Sequence, residues 1–344
     1  CPYMSRQTVL LIFGGASSEH DVSIMSARNV YAAMNNDKYV TSLCYIDRSG
    51  TWWLLDKWQD DLQHHGGRQL ALMPGQKKVL SIADGESLPI DVLLPILHGE
   101  NGHEDGMVQA IGHALGIPTI GSDIGPSAVC WDKLYTKQIL AASDIPITPF
   151  MVVRRDGNIP TYSEVAAHLG EVLFTKPTVA GSSIGVSKVH NEAEFMPAIQ
   201  TAFEHSPVIL LEQAITGREL EIAILGNPPT HQESGIGEII PGEEFYTYED
   251  KYSPTSKAEV LTNADVDDET KQNIQHIAHT AYEIIGCKGL ARVDFLVGHD
   301  GQVYLNEFNT LPGFTNISQY PKLWHEQGIE YSELIDRLIT LATE

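Results

Sequence analysis

Apolar residues along this chain recur in two rhythms. Residues 8–13 (Thr-Val-Leu-Leu-Ile-Phe) are almost continuously apolar and stop at Gly14-Gly15, which predicts a buried parallel strand feeding a loop. Val22, Met25, Val30, Ala33 and Met34 then fall mostly at helical spacings, and Asn35-Asn36 closes the segment, so a helix follows the strand. A second buried strand is expected at 92–97, followed by a polar glycine-rich loop and an apolar-periodic helix at 107–115. Strands alternating with helices predict a parallel α/β layer up to about residue 124.

The pattern then changes. Residues 127–142 read as one helix with Pro146 and Pro149 just beyond it, and strands recur at 172–176 and 208–212. Between those strands, residues 180–186 (Ala-Gly-Ser-Ser-Ile-Gly-Val) are too small to be rigid by themselves. A long helix is expected from about 267 to 285, with Ile274, Ile277, Ala278, Ala281, Ile284 and Ile285 on one face and Gly286 as its stop. Two alternating runs then flank Gly-His-Asp-Gly (298–301), a hairpin signal with a four-residue loop. If Val297 pairs with Gln302, Arg292 faces Glu307 and Asp294 faces Leu305. One face then carries Arg292, Asp294, Glu307 and Asn309, with Val303 and Leu305 beside them.

Length and composition bound what such elements can serve. With 344 residues, 42% of them hydrophobic and 19% charged, the chain can bury a sizeable core in two or three domains. The 22 Lys plus Arg against 45 Asp plus Glu leave a formal charge of −23. Duplex nucleic acid and anionic membrane surfaces are therefore not expected partners, and any anionic ligand must be met by a few local cations. Cys1, Cys44, Cys130 and Cys287 lie far apart with no C-x-x-C spacing, which argues against a disulfide framework or a cysteine zinc site and fits a reducing cytoplasm. Neither a signal peptide nor a membrane-spanning run is expected, and Met4 is read as the native start.

Three motifs carry candidate chemistry. The oxygen donors Asp294, Glu307 and Asn309 on one sheet face suit Mg2+, which combines one or two carboxylates with water and phosphate oxygens. The alternative is a buried arginine–carboxylate pair. The Gly-Ser-Ser-Ile-Gly loop (181–185), following Lys176-Pro177, offers successive backbone N–H groups to phosphate oxygens. A plain turn is the competing reading. It is not a Walker loop, and Gly14-Gly15 does not complete a dinucleotide fingerprint. Third, residues 14–23 lie between a buried strand and a helix, where open α/β sheets place ligands, and Glu19 there could receive a substrate ammonium or simply satisfy the helix dipole.

Together these motifs resemble the ATP-grasp superfamily, and within it the D-alanine–D-alanine ligases, over nearly the whole chain. The resemblance rests on residues 14–23, Leu-His-Gly (97–99) with Glu-Asp-Gly (104–106), Ser-Ala-Val-Cys-Trp-Asp-Lys (127–133), Lys-Pro (176–177) and Gly-Ser-Ser-Ile-Gly-Val (181–186). It continues through Gly-Arg-Glu (217–219), Phe-Tyr-Thr-Tyr-Glu-Asp-Lys-Tyr (245–252), Ala-Arg-Val-Asp (291–294) and Asn-Glu-Phe-Asn-Thr-Leu-Pro-Gly (306–313).

The resemblance implies an ATP-grasp fold of mixed α/β and α+β class in three domains: an N-terminal Rossmann-like α/β domain (1–124), a central domain (125–216) and a C-terminal domain (217–344) with a lid at about 235–258. The last two would sandwich ATP. It implies ATP contacts at Lys133, Lys176, Ser182, Ser183, Glu212, Glu219, Lys251, Asn306 and Glu307, and metal ligands Asp294, Glu307 and Asn309. Two Mg2+ ions, or Mn2+, and a monovalent cation are the implied ions. Glu19, His98, Arg292, Gly313 and Ser318 would place two D-alanine molecules, with Arg292 and the Gly313 N–H stabilising an oxyanion. Glu19, Ser182 and Tyr252 would form a hydrogen-bonded chain, and Tyr252 favours D-alanine as acceptor where ligases for D-lactate carry Phe or rebuild the lid around His. A homodimer is also implied. The chain departs from the pattern by one extra residue at His103 and by Val179-Ala180 ahead of Gly181, which leaves the phosphate loop to backbone donors.

Overall fold

The computed structural model describes residues 5–242, 251 and 256–344. Strand β1 (Gln7–Gly14) runs parallel to β2 (Tyr39–Ile46) on one side and β7 (Val92–Ile96) on the other, with helix α1 (His20–Ala33) returning the chain between the first two. Val9 to Phe13 have no exposed surface. Covering both faces of a strand requires this unbroken apolar run. The α1 face that packs inward is Ser23, Ser26, Ala27 and Val30, while Met25 is exposed, so small residues let the helix lie close to the sheet.

The parallel layer expected to residue 124 is parallel only at one edge, across β2, β1 and β7. Strands β3 (Trp52–Leu55), β4 (Arg68–Met73), β5 (Lys78–Ser81) and β6 (Ser87–Pro89) extend it as an antiparallel meander, in the order β6-β5-β4-β3-β2-β1-β7. These strands are short, and Gly50, Gly66, Gly75 and Gly85 adopt positive φ around them, so turns rather than crossover helices join them. Helix α2 (Met107–Leu115) follows β7.

The single helix expected at 127–142 is two: α3 (Ile124–Trp131) and α4 (Lys133–Ala142). Asp132 breaks them because its carboxylate accepts from the Leu134 and Tyr135 N–H groups, starting a new helix. A second sheet follows, built from β8 (Phe150–Arg154), β9 (Leu173–Pro177), β10 (Ser187–Val189) and β11 (Val208–Gln213) in the antiparallel order β10-β9-β11-β8. Helices α5 (Tyr162–Leu169) and α6 (Glu192–His205) supply its core with Val165, Leu169, Phe195 and Ile199.

The third sheet has the order β14-β13-β12-β15-β16. Its strands are β12 (Gly217–Leu225), β13 (Gln232–Ile240), β14 (Glu259–Leu261), β15 (Leu290–Gly298) and β16 (Val303–Asn309). Helix α7 (Asp268–Ile285) covers one face with Ile274, Ile277, Ala278 and Ala281; Tyr282 is buried there, and the expected Ile284 is instead exposed. Burying each isoleucine contributes about 1.5–3 kcal/mol. Leu140 and Ile145 enter this same core, so α4 packs against the third sheet. Helices α8 (Gln319–His325) and α9 (Tyr331–Thr343) return to the first sheet, where Leu334, Ile335, Leu338 and Ile339 join Val9, Leu11 and Val92. Within the lid segment expected at 235–258, residues 235–240 belong to β13, and 243–250 and 252–255 lie outside the described residues.

Candidate active site

A cleft of about 880 Å³ opens between the first sheet's loops, the second sheet and the polar face of the third. Every described residue that the resemblance implies as an ATP, metal or D-alanine contact lines it. Tyr252 lies outside the described residues.

The third sheet sets the centre. The β15–β16 turn differs from the expected one: Gly298 N–H donates to Gln302 O, so three residues rather than four form the loop, and Gly301 takes positive φ. Pairing then slips once more between Phe295↔Leu305 and Asp294↔Glu307, leaving Asn306 as a bulge. The two one-residue changes add to an even shift. Glu307 and Asn309 therefore stay on the face of Asp294 and Arg292, but Asp294 opposes Glu307 and Arg292 opposes Asn309. Val303 and Leu305 do not share that face; with Val293, Phe295 and Val297 they belong to the hydrophobic core behind it. The bulge is what puts consecutive residues, Asn306 and Glu307, into the cleft.

Arg292 donates to both oxygens of Asp294, Nε to Oδ1 at 2.7 Å and Nη2 to Oδ2 at 2.8 Å, and Asn309 Nδ2 donates to the same carboxylate at 3.2 Å. Glu221, directly opposite Asp294 on β12, lies 3.4 Å from Arg292 Nε. Burial, partly offset by Arg292 and reinforced by Asp294, pushes the Glu221 carboxyl up to about 8. Burial and Asp294 likewise push Glu219 up to about 7. Glu307 goes the other way. Burial opposes its charge, but Lys133, Lys251, Lys176 and Arg292 outweigh that and hold it down to about 2. Lys133 Nζ lies 3.5 Å from Glu307 Oε1. The clustered oxygens of Asp294, Glu307 and Asn309, with Glu219 and Glu221 crowded behind them, fit a hard divalent cation. The buried Asn306 Oδ1 has no partner among the described residues.

The second sheet contributes a buried cation pair. Glu212 bridges Lys176 at 2.6 Å and Lys137 at 3.1 Å. Burial opposes the Glu212 charge, yet the two lysines hold it down to about 2. Lys133 Nζ also donates to Ala180 O at 2.7 Å, and Lys251 Nζ to Ser183 Oγ at 3.4 Å. Two lysines thus adjoin the 180–186 loop, which is more than the backbone donors expected from Val179-Ala180. Ser182 and Ser183 hold φ of 52° and 62°, a region that non-glycine residues rarely occupy and that recurs at ligand clamps.

The first sheet supplies Glu19 and His98. Glu19 is buried at the start of α1, and its Oε1 accepts from Ser182 Oγ at 2.7 Å. His98 is buried beside it, with Nδ1 3.1 Å from Leu311 O and Nε2 without a partner among the described residues. Burial lowers the His98 pKa, with Glu19 pulling against it, so the ring is neutral near pH 7. The extra residue, His103, is buried, and its Nε2 would lie 2.6 Å from a Cβ on Gly15; it packs behind the Gly14-Gly15 loop. On the far side, Ser318 Oγ accepts from Thr315 N at 3.0 Å and would touch a Cβ on Gly313 at 3.2 Å.

Three residues of the site were not anticipated. Glu221 is two positions from Glu219, so strand alternation puts both on one face. Lys137 is one helical turn from Lys133. Glu104 accepts from Gly99 N at 2.6 Å, and burial together with Glu19 raises its carboxyl pKa well above the ordinary value.

This arrangement can hold a polyanion between lysines, neutralise it with a metal and keep an arginine beside the reacting centre. Comparisons with known proteins agree on one family. Residues 8–122 match the model described as D-ala D-ala ligase N-terminus, and residues 139–340 match D-ala D-ala ligase C-terminus. D-alanine–D-alanine ligase A of Salmonella typhimurium is 42% identical, covering 99% of this chain and 97% of that protein. The structure of the D-alanine–D-alanine ligase from Coxiella burnetii superposes with a TM-score of 0.88 at 33% identity, covering 98% of this chain and 94% of that one. That of VanG D-Ala:D-Ser ligase from Enterococcus faecalis gives 0.88 at 32%, covering 98% and 100%.

Proposed function

The chain belongs to the D-alanine–D-alanine ligase family, and from that premise we propose that it joins two D-alanine molecules at the expense of ATP, releasing ADP and phosphate, for peptidoglycan precursor synthesis. The observation that carries this reading is the register pair Asp294↔Glu307, with Arg292 forked onto Asp294, in one cleft with Lys133, Lys176 and Glu19.

The residues divide the work by charge. Glu19 receives the ammonium of the first D-alanine, and neutral His98 flanks it. The substrate carboxylate attacks the γ-phosphorus of ATP; the P–O bond to ADP breaks and an acyl phosphate forms. Lys133, Lys176 and Lys251, with the N–H groups of the 181–185 loop, lower the repulsion between the two anions. Asp294, Glu307 and Asn309 would hold Mg2+, or Mn2+ in its place, which would neutralise phosphate charge. Glu212 and Glu219 border the nucleotide.

The amine of the second D-alanine, after losing a proton, attacks the acyl carbon, the peptide bond forms and phosphate leaves. Its carboxylate is received at Ser318. Negative charge on the carbonyl oxygen is met by Arg292 and the Gly313 N–H, preorganised donors of the kind that contribute most to such reactions. The lid that the motif resemblance implies at about 235–258 would exclude water from the acyl phosphate. Two divalent ions, a monovalent cation and a homodimer complete the reading, each supported by the motif resemblance, with a cytoplasmic location supported by the cysteine usage. No described helix is long and apolar enough to cross a membrane.

The test is phosphate release with ATP, Mg2+ and D-alanine, with the product identified by mass. D-Alanyl-D-alanine is the expected product. ATP binding without turnover, or turnover only when D-serine replaces D-alanine as second substrate, would overturn the proposal.

A further inference from the structure

His231, Glu233 and His279 converge at the end of the β12–β13 hairpin opposite the cleft; none of them lines it. Their donor atoms all lie within 4.8 Å of one another. His279 Nδ1 is 2.5 Å from Glu233 Oε1, and His231 Nε2 is 3.9 Å from the same oxygen. The two imidazoles stack with centroids 4.0 Å apart, and Glu283, one helical turn beyond His279, brings Oε1 to 3.7 Å of its Nε2.

A simple His279–Glu233 pair leaves His231 unexplained. Its side chain is fully buried, and neither ring nitrogen has a hydrogen-bond partner among the described residues. Buried polar atoms are ordinarily satisfied, and an apolar ring would pack on Tyr282, 4.9 Å away, without that cost.

We propose that His231, Glu233 and His279 form a binding site for a Zn2+-class cation, with Glu283 or water as fourth ligand. Two imidazoles and one carboxylate are the donor set of Zn2+ or Co2+ rather than of Mg2+ or Ca2+. Tetrahedral bonds of about 2.1 Å place donors about 3.4 Å apart, and the separations from Glu233 Oε1, 2.5 Å to His279 Nδ1 and 3.9 Å to His231 Nε2, bracket that value. His279 is partly exposed, so its ring can turn out of the stack to converge on an ion. The bound cation would clamp the start of β13 to α7 across the edge of the third core and stabilise the folded chain by linkage.

The test is titration of the full chain with Co2+ in excess Mg2+, without nucleotide, read by visible absorption and by Tm. One equivalent of tetrahedral Co2+, displaced by Zn2+, together with a higher Tm, is the expected result. Both signals should vanish in His279→Ala and Glu233→Gln, partly exposed positions whose variants retain D-alanine-dependent phosphate release. His231→Ala risks unfolding and is not needed. No tetrahedral signal, equal binding by the two variants, or loss of binding in Asp294→Asn instead would overturn the proposal.

Discussion

Ser182 donates its hydroxyl to Glu19 at 2.7 Å, joining residues 163 positions apart. The bond connects the loop after β9 to the entrance of α1, so the second sheet's small-residue loop helps orient the carboxylate of the first. A charge-assisted hydrogen bond of this kind stiffens an acceptor that must hold one geometry.

Glu19→Gln keeps the shape and removes the charge. The expected loss in kcat/KM for the first D-alanine is about 10- to 100-fold, the worth of a charged hydrogen bond. Ser182→Ala should lose less, with the KM for ATP changed little. Steady-state kinetics with D-alanine varied at saturating ATP measure both losses, and ATP varied at saturating D-alanine gives the KM for ATP.

Arg292→Lys keeps a cation but not a fork. Asp294 loses one of its two bonds from Arg292, and the oxyanion loses its planar donor. The expected fall in kcat is about 100- to 1,000-fold, with the far-UV spectrum and urea midpoint close to those of the parent. Equal kcat values would mean that the arginine serves packing alone.

Glu212 sets an acid limit on stability. Its folded pKa, about 2, is below its ordinary 4.5. Because the depressed group binds its proton less readily when folded, its contribution is present above about pH 4.5 and is lost as pH falls toward 2. Glu212→Gln should cost about 3–5 kcal/mol near pH 7 by leaving Lys137 and Lys176 buried without the carboxylate that bridges them. Its urea midpoint should also vary less than the parent's between those two pH values.

Asp132→Ala tests the break between α3 and α4. Losing the cap to the Leu134 and Tyr135 N–H groups costs about 1 kcal/mol. Lys133 is the first residue of α4, so fraying there should also raise the KM for ATP. Denaturation and ATP titration should change together; a stability loss with an unchanged KM would separate the cap from the lysine.

Much of this was legible in the residues. Strand β1 could be read because burial on both faces demands a run with no polar gap, and Gly286 ended α7 because it takes the left-handed backbone of a cap. The meander from β3 to β6 was missed because its strands are short and lie toward one edge of the first sheet, where one wet face blurs alternation. Asp132 was readable as a capping residue, yet the apolar rhythm on both sides ran through it. The β15–β16 register was not legible, since Gly298 can open either a three- or a four-residue loop and the bulge at Asn306 has no side-chain signature. The polar face was nevertheless identified, because an even shift preserves strand parity. The Ser182 to Glu19 contact depends on how separate sheets meet, which no local pattern encodes; the motif resemblance implied it, and the bond is present.

The surplus residue in β16 also insulates the cleft carboxylates Asp294 and Glu307 from the hairpin's tip. Alternation restarts at Asn306, so grafting a longer connection in place of His299, Asp300 and Gly301 would lengthen a solvent-facing handle while Asp294 and Glu307 kept their mutual aim. Deleting Asn306 would restore a plain ladder with the acids still facing the same way and one amide fewer in the cleft. This hairpin therefore has one end open to engineering and one end whose composition is dictated by chemistry.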